Sequence, residues 1–401
     1  MKTLDIPKGR SAVIVSAVRT PIGAMGGVLS SVPATQLGAI AIKGALEAAK
    51  VEASLVEYCY MGNVCHAGLG QAPARQAALE AGLSPSCCCM TLNKVCASGS
   101  RAIALAVQDI WLGIADVVVA GGFENMSMIP YYLPKARFGY RMGNGELVDG
   151  MIKDGLWDPY GDKHMGNFAE LCAKTYNFTR EDQDHFAISS YKRAHEANES
   201  GFVKDEIIGV PIEDKRKGTQ FVLDDEEYTK VQYDKVPSLR PVFQNDGTVT
   251  AANASSISDG AAAVVVMSEE KANELGVKII ARILGFGDAE RPPEEFTVAP
   301  SLAIPKALKH AGGIRIEDVD LFEINEAFSV VALANMKILG LDPAKVNVFG
   351  GAVALGHPLG CSGARIVVTL LNALKHRKGK IGVSAICNGG GGASALVFQM
   401  E

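Results

Sequence analysis

The chain has 401 residues, 48% of them hydrophobic and 21% charged, with 43 glycines and 17 prolines. That excludes a disordered, collagen-like or coiled-coil protein and leaves room for two or three domains with a substantial core. Thirty-nine Lys and Arg against 44 Asp and Glu give a net charge of -5, so there is no basic excess to bind a phosphate backbone and nucleic acid is not an expected partner. Apolar runs such as Ala115 to Ala120 and Val264 to Met267 fall short of the roughly 18 residues of a membrane span, and no membrane association is expected. Nine cysteines without regular spacing predict reduced thiols and no structural disulfides. Met1 to Arg10 lacks the apolar centre of a secretory signal, which predicts the cytoplasm, or the mitochondrial matrix if a presequence has been removed.

In chain order, short β-branched runs alternate with helical patterns. Strands are predicted at Ser11 to Ala17, Val56 to Asn63, Cys87 to Asn93 and Asp116 to Gly121, with helices at Ala34 to Lys50, Gln71 to Ala81 and Cys96 to Gly113. From Phe123 to Asp246 the texture changes to clustered aromatics, glycines and charges, with one helix at Asp182 to Ser200 and a charged stretch at Asp214 to Lys235. A strand at Ala261 to Met267 and a helix at Glu269 to Gly276 return to the first pattern. The remainder repeats it, with strands at Lys278 to Gly285, Val319 to Ile324, Lys345 to Phe349, Lys380 to Cys387 and Ala393 to Gln399. Helices are predicted at Ser301 to Ala311, Glu326 to Leu339 and Cys361 to His376. The expectation is an α/β fold of two duplicated halves, each with a mostly parallel sheet, and a segment inserted in the first.

Four strand-to-helix or strand-to-strand junctions carry groups suited to chemistry. Asn93-Lys94-Val95-Cys96-Ala97-Ser98-Gly99 places Cys96 at a helix N-terminus among small residues, where the helix dipole favours a thiolate. Gly350 to Gly363 is a glycine-rich turn holding His357, which fits a general base for a nearby thiol. Cys387-Asn388-Gly389-Gly390-Gly391-Gly392 ends a strand with a second cysteine and backbone N–H groups free to meet an oxyanion. Asn325 in Glu323-Ile324-Asn325-Glu326-Ala327-Phe328 either caps a helix or holds a water. Cys87-Cys88-Cys89 alternate faces of a strand and no C-x-x-C pair exists, which disfavours zinc or iron–sulfur. No G-x-G-x-x-G opens a helix, which disfavours a dinucleotide-dependent oxidoreductase.

Together these motifs resemble the thiolases. The resemblance runs from Val18-Arg19-Thr20-Pro21 through Gly70 to Gln76, Asn93 to Gly99, Gly247 to Ala254, Asn325 to Phe328 and Gly356-His357-Pro358 to Cys387-Asn388-Gly389. It implies a thiolase fold of two βαβαβαββ halves in a layered αβαβα core: residues 1–127 with 258–279, residues 280–401, and an inserted loop domain at 128–257 that binds coenzyme A. It also implies a homotetramer acting on acetyl-CoA and acetoacetyl-CoA, with no redox cofactor. By this resemblance Cys96 takes the acyl group, His357 activates it, Cys387 moves the α-proton, Asn325 and His357 form one oxyanion site, and Cys96 and Gly389 N–H groups form the other. Coenzyme A would meet Leu156, His164, Met165, Tyr191, Lys235, Ala251, Ser255 and Phe328. Some members hold potassium, which here points to Tyr191 and the carbonyls of Ala251, Ala252, Ala254 and Val353. The implied reaction is the reversible condensation of two acetyl-CoA, with a degradative 3-ketoacyl-CoA thiolase of broader chain length as the alternative. A ketoacyl synthase would carry a histidine in place of Asn325. Ser100, Arg101 and Asn125 depart from the usual family pattern.

Overall fold

A computed structural model describes residues 10–214 and 216–401. The reading of Met1 to Arg10 falls outside the described residues save for its last, as does Lys215 in the charged stretch. Nine strands form the body of one ten-stranded sheet: β1 (Ala12–Arg19), β2 (Tyr58–Gly62), β3 (Cys88–Leu92), β4 (Val117–Asn125), β5 (Ser258–Ser268), β6 (Ala281–Glu290), β7 (Leu321–Ile324), β8 (Ile381–Asn388) and β9 (Gly392–Met400). The helices are α1 (Ala34–Ala49), α2 (Pro73–Glu80), α3 (Ser98–Trp111), α4 (Met165–Tyr176), α5 (Arg180–Glu199), α6 (Glu269–Leu275), α7 (Pro300–His310), α8 (Ser329–Leu339), α9 (Ala352–Leu355) and α10 (Leu359–Arg377).

The strand order is β3-β2-β4-β5-β1-β6-β9-β8-β7. Read outward from the β1–β6 junction, each side runs first, last, next-to-last and second strand of its half, so the duplication is visible as topology. The expectation of a mostly parallel sheet is corrected. Only β2 with β3, β2 with β4, and β7 with β8 run parallel, while β1, β4, β5, β6, β8 and β9 meet in antiparallel pairs. The physical reason is clearest at β8–β9. Gly389 to Gly391 link them directly, and Gly390 and Gly391 sit at φ 85° and 95°, a backbone that closes a hairpin and leaves no room for a crossover helix.

The predicted strand at Lys345 to Phe349 is also corrected: it makes a single bridge, Val346 to Phe322. Asn347 turns to φ 50° and its side chain takes over the edge. Its Oδ1 accepts from the Ile324 N–H and its Nδ2 donates to Ile324 O, both at 2.8 Å. The predicted helix from Glu326 begins only at Ser329, because the Glu326 carboxylate is held in the preceding loop by Ser190, Asn347 and the Val353 N–H. Helix α4 is not among the predicted elements.

Helices α1 and α2 cover the outer face of the first half and α7 with α8 that of the second. Between them lie α3 and α10, packed against strands of both halves. Every residue of α10 from Leu359 to Leu374 is buried, including the polar Ser362, Arg365, Thr369 and Asn372, as befits a helix enclosed by both halves. The two helices cross at glycine. A Cβ on Gly99 would lie 2.6 Å from Ala364 N, and one on Gly363 would lie 2.4 Å from Ser100 N. Ser100, one of the departures from the family pattern, donates to Gly363 O at 2.9 Å and so fastens this crossing.

The segment between β4 and β5 carries α4, α5 and a hairpin of Val210–Asp214 with Gly218–Val222. It is anchored to the end of β1 by the fully buried Arg19, which donates to Glu206 at 2.7 Å and to both carboxylate oxygens of Asp225 at 2.7 and 2.8 Å. Arg365 faces Glu323 at 3.6 Å deep in the second half. Among the described residues, no helix is long and apolar enough to cross a membrane.

Candidate active site

The crossing of α3 and α10 brings their N-termini together, and each is preceded by a tight turn carrying a reactive group. Before α3, Val95 adopts φ 48°, a left-handed conformation that is costly for a β-branched residue. The strain is held by Asn93 Oδ1, which accepts from the Val95 N–H at 2.9 Å, and by Ser98 Oγ, which accepts from the Lys94 N–H at 2.8 Å and donates to Val95 O at 2.6 Å. Lys94 reaches across to the second half, pairing with Asp288 at 2.7 Å and donating to Ser394 Oγ at 3.0 Å. Arg101 joins the same carboxylate at 3.2 Å. The result is an elbow that presents Cys96 to a cavity.

Burial pushes the Cys96 thiol up to about 12, although the Gly389 N–H and its own N–H both favour the thiolate. This differs from the thiolate expected of a helix N-terminus: desolvation outweighs the dipole. The thiol is therefore protonated at neutral pH and needs a base. Before α10, His357 is buried, and desolvation, aided by the nearby Arg365 charge, lowers it to about 3. A neutral imidazole is ready to take a proton. Its Nδ1 lies 2.6 Å from Ser362 Oγ, and that hydroxyl donates to Pro358 O at 2.8 Å. Nδ1 must then be the protonated nitrogen, leaving the Nε2 lone pair free. Nε2 faces Asn325 Nδ2 at 3.5 Å, and Asn325 Oδ1 faces Arg365 Nη2 at 3.4 Å.

Cys387, buried at the end of β8, packs with Phe296, Ala327 and Phe328. Burial and the neighbouring Cys96 hold its thiol well above the ordinary range.

One cavity of about 510 Å³ collects Cys96, His357 and Gly389 with Leu156, His164, Met165, Ala251, Ala254, Ser255 and Phe328. Most of the residues the sequence pointed to thus meet in one place. His164 caps α4 through Nδ1, which accepts from the Gly166 N–H at 3.1 Å, and stacks on Phe243 with ring centres 4.8 Å apart. Burial keeps it neutral by lowering its pKa. Ser255 Oγ donates to Ala327 O at 2.8 Å.

Tyr191, Lys235 and Ala252 do not line this cavity. They border a neighbouring hollow of about 280 Å³ that shares Ala251 and Glu227 with the first. Val353 is buried in the cluster beside Tyr191. Among the described residues, the carbonyls of Ala251 and Ala252 accept no backbone hydrogen bond, and the Glu227 charge acts on Tyr191. Free carbonyls beside a carboxylate suit a hard cation in chemistry. No His, Cys, Asp or Glu cluster of metal-binding geometry occurs among the described residues.

Sequence reasoning missed Ser362, Arg365 and the cavity walls Met126, Met151, Glu227, Phe243, Ile257 and Leu359. Ser362 alone left a signal, five residues after His357 at the start of a helix.

This fold and this pairing of elbows are those of a known family. The descriptions "Thiolase, N-terminal domain" and "Thiolase, C-terminal domain" match residues 12–270 and 277–400, and the chain belongs to the thiolase family. It is 57% identical over 387 residues to an acetyl-CoA acetyltransferase of Schizosaccharomyces pombe, covering 96% of this chain and 98% of that protein. A mitochondrial acetyl-CoA acetyltransferase of Bos taurus is 53% identical over 394 residues, 98% of this chain and 92% of the other. A cytosolic one of Gibberella zeae is 57% identical over 387 residues, 96% of this chain and 97% of the other. Among solved structures, a thiolase of Ascaris suum in complex with coenzyme A superimposes with a TM-score of 0.92 at 45% identity, over 98% of this chain and 100% of that one.

Proposed function

We propose that the protein is an acetyl-CoA acetyltransferase that condenses two acetyl-CoA to acetoacetyl-CoA and coenzyme A, or runs the reverse thiolysis. The observation that carries this reading is the convergence of Cys96, His357 and Gly389 on one largely apolar cavity, with Cys387 directly behind it. In the first half-reaction the Cys96 sulfur attacks the thioester carbonyl while Nε2 of His357 takes its proton. The N–H groups of Cys96 and Gly389 receive the oxyanion, and coenzyme A leaves with the proton of Cys387, which becomes the thiolate, while Nε2 of His357 keeps the proton of Cys96. In the second, Cys387 removes the α-proton of another acetyl-CoA. The enolate oxygen is met by the retained Nε2–H of His357 and a water held by Asn325, the carbanion takes the acetyl group from Cys96, and the departing Cys96 thiolate recovers its proton from His357. Such a covalent intermediate gives ping-pong kinetics.

Coenzyme A would lie along Leu156, His164, Met165, Ala251, Ser255 and Phe328, with Tyr191 and Lys235 reached from the adjoining hollow. The residues 128–257 would act as its binding domain, set on halves of 1–127 with 258–279 and 280–401. Tyr191 and the carbonyls of Ala251, Ala252, Ala254 and Val353 would hold potassium, which would order the turn that presents Ser255. A homotetramer is supported by apolar side chains exposed between β4 and α4, where Phe138 and Met142 are 90% and 97% exposed. Relatives of both compartments exist, and the cytosol is the compartment we propose here.

The test is steady-state thiolysis of acetoacetyl-CoA and 3-ketohexanoyl-CoA, with and without potassium. Cleavage of the shorter substrate by the wild type and its loss in Cys96→Ser are expected. Strong preference for the longer substrate would instead make this a degradative 3-ketoacyl-CoA thiolase.

A further inference from the structure

Three cysteines outside the catalytic cavity gather on the outer α/β layer. Cys59 of β2 and Cys89 of β3 are register partners on adjacent parallel strands. Cys87 lies two residues before Cys89, so all three side chains share the face that packs beneath α1 and α2. Cys59 and Cys87 are buried, whereas Cys89 is half-buried. Arg75 of α2 closes over the group, donating to Cys87 O at 3.0 Å and to Pro85 O at 2.9 Å. None of these thiols has a role in the acetyl-transfer chemistry.

We propose that Cys89 and Cys59 form a site of oxidation by hydroperoxides, in which Cys89 is the attacked thiolate and Cys59 the thiol that resolves it to a disulfide. Cys89 is the nucleophile because it alone of the three is half-buried, and the two neighbouring thiols and the Arg75 charge favour its thiolate. Cys59, by contrast, is raised by its neighbour Cys89 and by burial. A thiolate that is both stabilised and reachable is where peroxide oxidation starts.

The steps balance. The Cys89 thiolate attacks the outer oxygen of the hydroperoxide, the O–O bond breaks, and the alkoxide leaves and is protonated to an alcohol. Cys89 is now a sulfenic acid. The Cys59 sulfur then attacks the Cys89 sulfur, giving up its proton as hydroxide departs, and the S–S bond forms with release of water. Two thiols have lost two electrons to one hydroperoxide. Geometry selects Cys59 over Cys87 as the resolving partner. Neighbouring strands lie about 4.8 Å apart, inside the roughly 4.4–6.8 Å between Cα atoms that a disulfide spans, whereas residues two apart on one strand stand about 6.7 Å apart, at its limit.

The test uses the reduced full-length protein, a stoichiometric amount of hydrogen peroxide, alkylation of remaining thiols and tryptic digestion. Cleavage after Lys50, Arg75 and Lys94 leaves Cys59 in peptide 51–75 and Cys89 in peptide 76–94. These are expected joined and lighter by two hydrogens than their sum. The link should persist in Cys87→Ser and vanish in Cys59→Ser and Cys89→Ser. In Cys59→Ser, dimedone should trap the sulfenic acid on Cys89. A link that survives Cys59→Ser, a bond closed within peptide 76–94, or oxidation that passes over Cys89 would each overturn the proposal. Should Cys59→Ser fail to fold, loss or retention of the link in Cys89→Ser, at a half-buried position, decides the matter.

Discussion

The pair of central helices and the segment between β4 and β5 build the same cavity by different means. At α3 and α10 a glycine crossing, a strained Val95 and two turns fastened by the Ser98 and Ser362 hydroxyls position Cys96 and His357. The intervening segment contributes walls such as Met151, Met165 and Phe243 through irregular chain and short helices. The lesson is a division of labour, in which the buried layer sets what reaction occurs and the inserted layer sets what fits.

The sharpest test of that division is Cys96→Ser. It should lower kcat by about 10⁴, while Phe243→Leu in the wall should alter KM and leave kcat within about threefold. A comparable kcat loss in both would dissolve the distinction. Next in size is the crossing itself. Gly99→Ala and Gly363→Ala each drive a methyl into backbone, and denaturant unfolding should show a loss of about 3 kcal/mol.

The acid side comes third. A histidine held near 3 predicts that kcat/KM stays level as pH falls from 7 to about 5, where an ordinary imidazole would already be protonated. The sign for stability follows from the same depression. His357's contribution is full above its unfolded value and is lost as pH falls from about 6.5 towards 3. His357→Gln should therefore flatten the stability profile over that window. Ser362→Ala, which frees the Nδ1 tautomer, should lower kcat about tenfold and leave KM unchanged. Met165→Ala, opening the wall, should raise the ratio of 3-ketohexanoyl-CoA to acetoacetyl-CoA thiolysis by about tenfold. The smallest effect belongs to exposed Lys235, where Lys235→Ala should raise KM for coenzyme A two- to threefold, in line with the modest worth of a surface charge, about 0–1 kcal/mol.

The same contrast governs what could be read in advance. Most of the strands are legible because their apolar, often β-branched runs are local signals, and Cys96, His357, Asn325 and Cys387 because each sits at the end of a strand or in the turn that opens a helix. Strand direction was not legible, since alternation of strand and helix says nothing about a chain that leaves at Asn125 and returns at Ser258. Helix α4 escaped notice because its cap is a histidine and its first turn contains Gly166. The edge strand expected at Lys345 failed because one asparagine side chain replaced its hydrogen bonds. Arg365 was hidden in a predominantly small and apolar stretch of helix, and its partner Glu323 lies far off in sequence.

The bond from Lys94 to Asp288 and Ser394 also bears on how the molecule comes into being. Strand β1 finds its neighbour β5 only after the inserted segment has been made, and the clamp beside Cys96 closes only with β9, the last strand. So many distant pairings make for slow folding. A chain still emerging from the ribosome has only the local bonds of Asn93 and Ser98 at the nucleophile's turn and lacks the clamp that ties it to the second half. Catalytic competence therefore arrives late in biogenesis, with the C-terminal strand, and truncation at that end should leave a thiol of ordinary reactivity where the finished protein has a catalytic one.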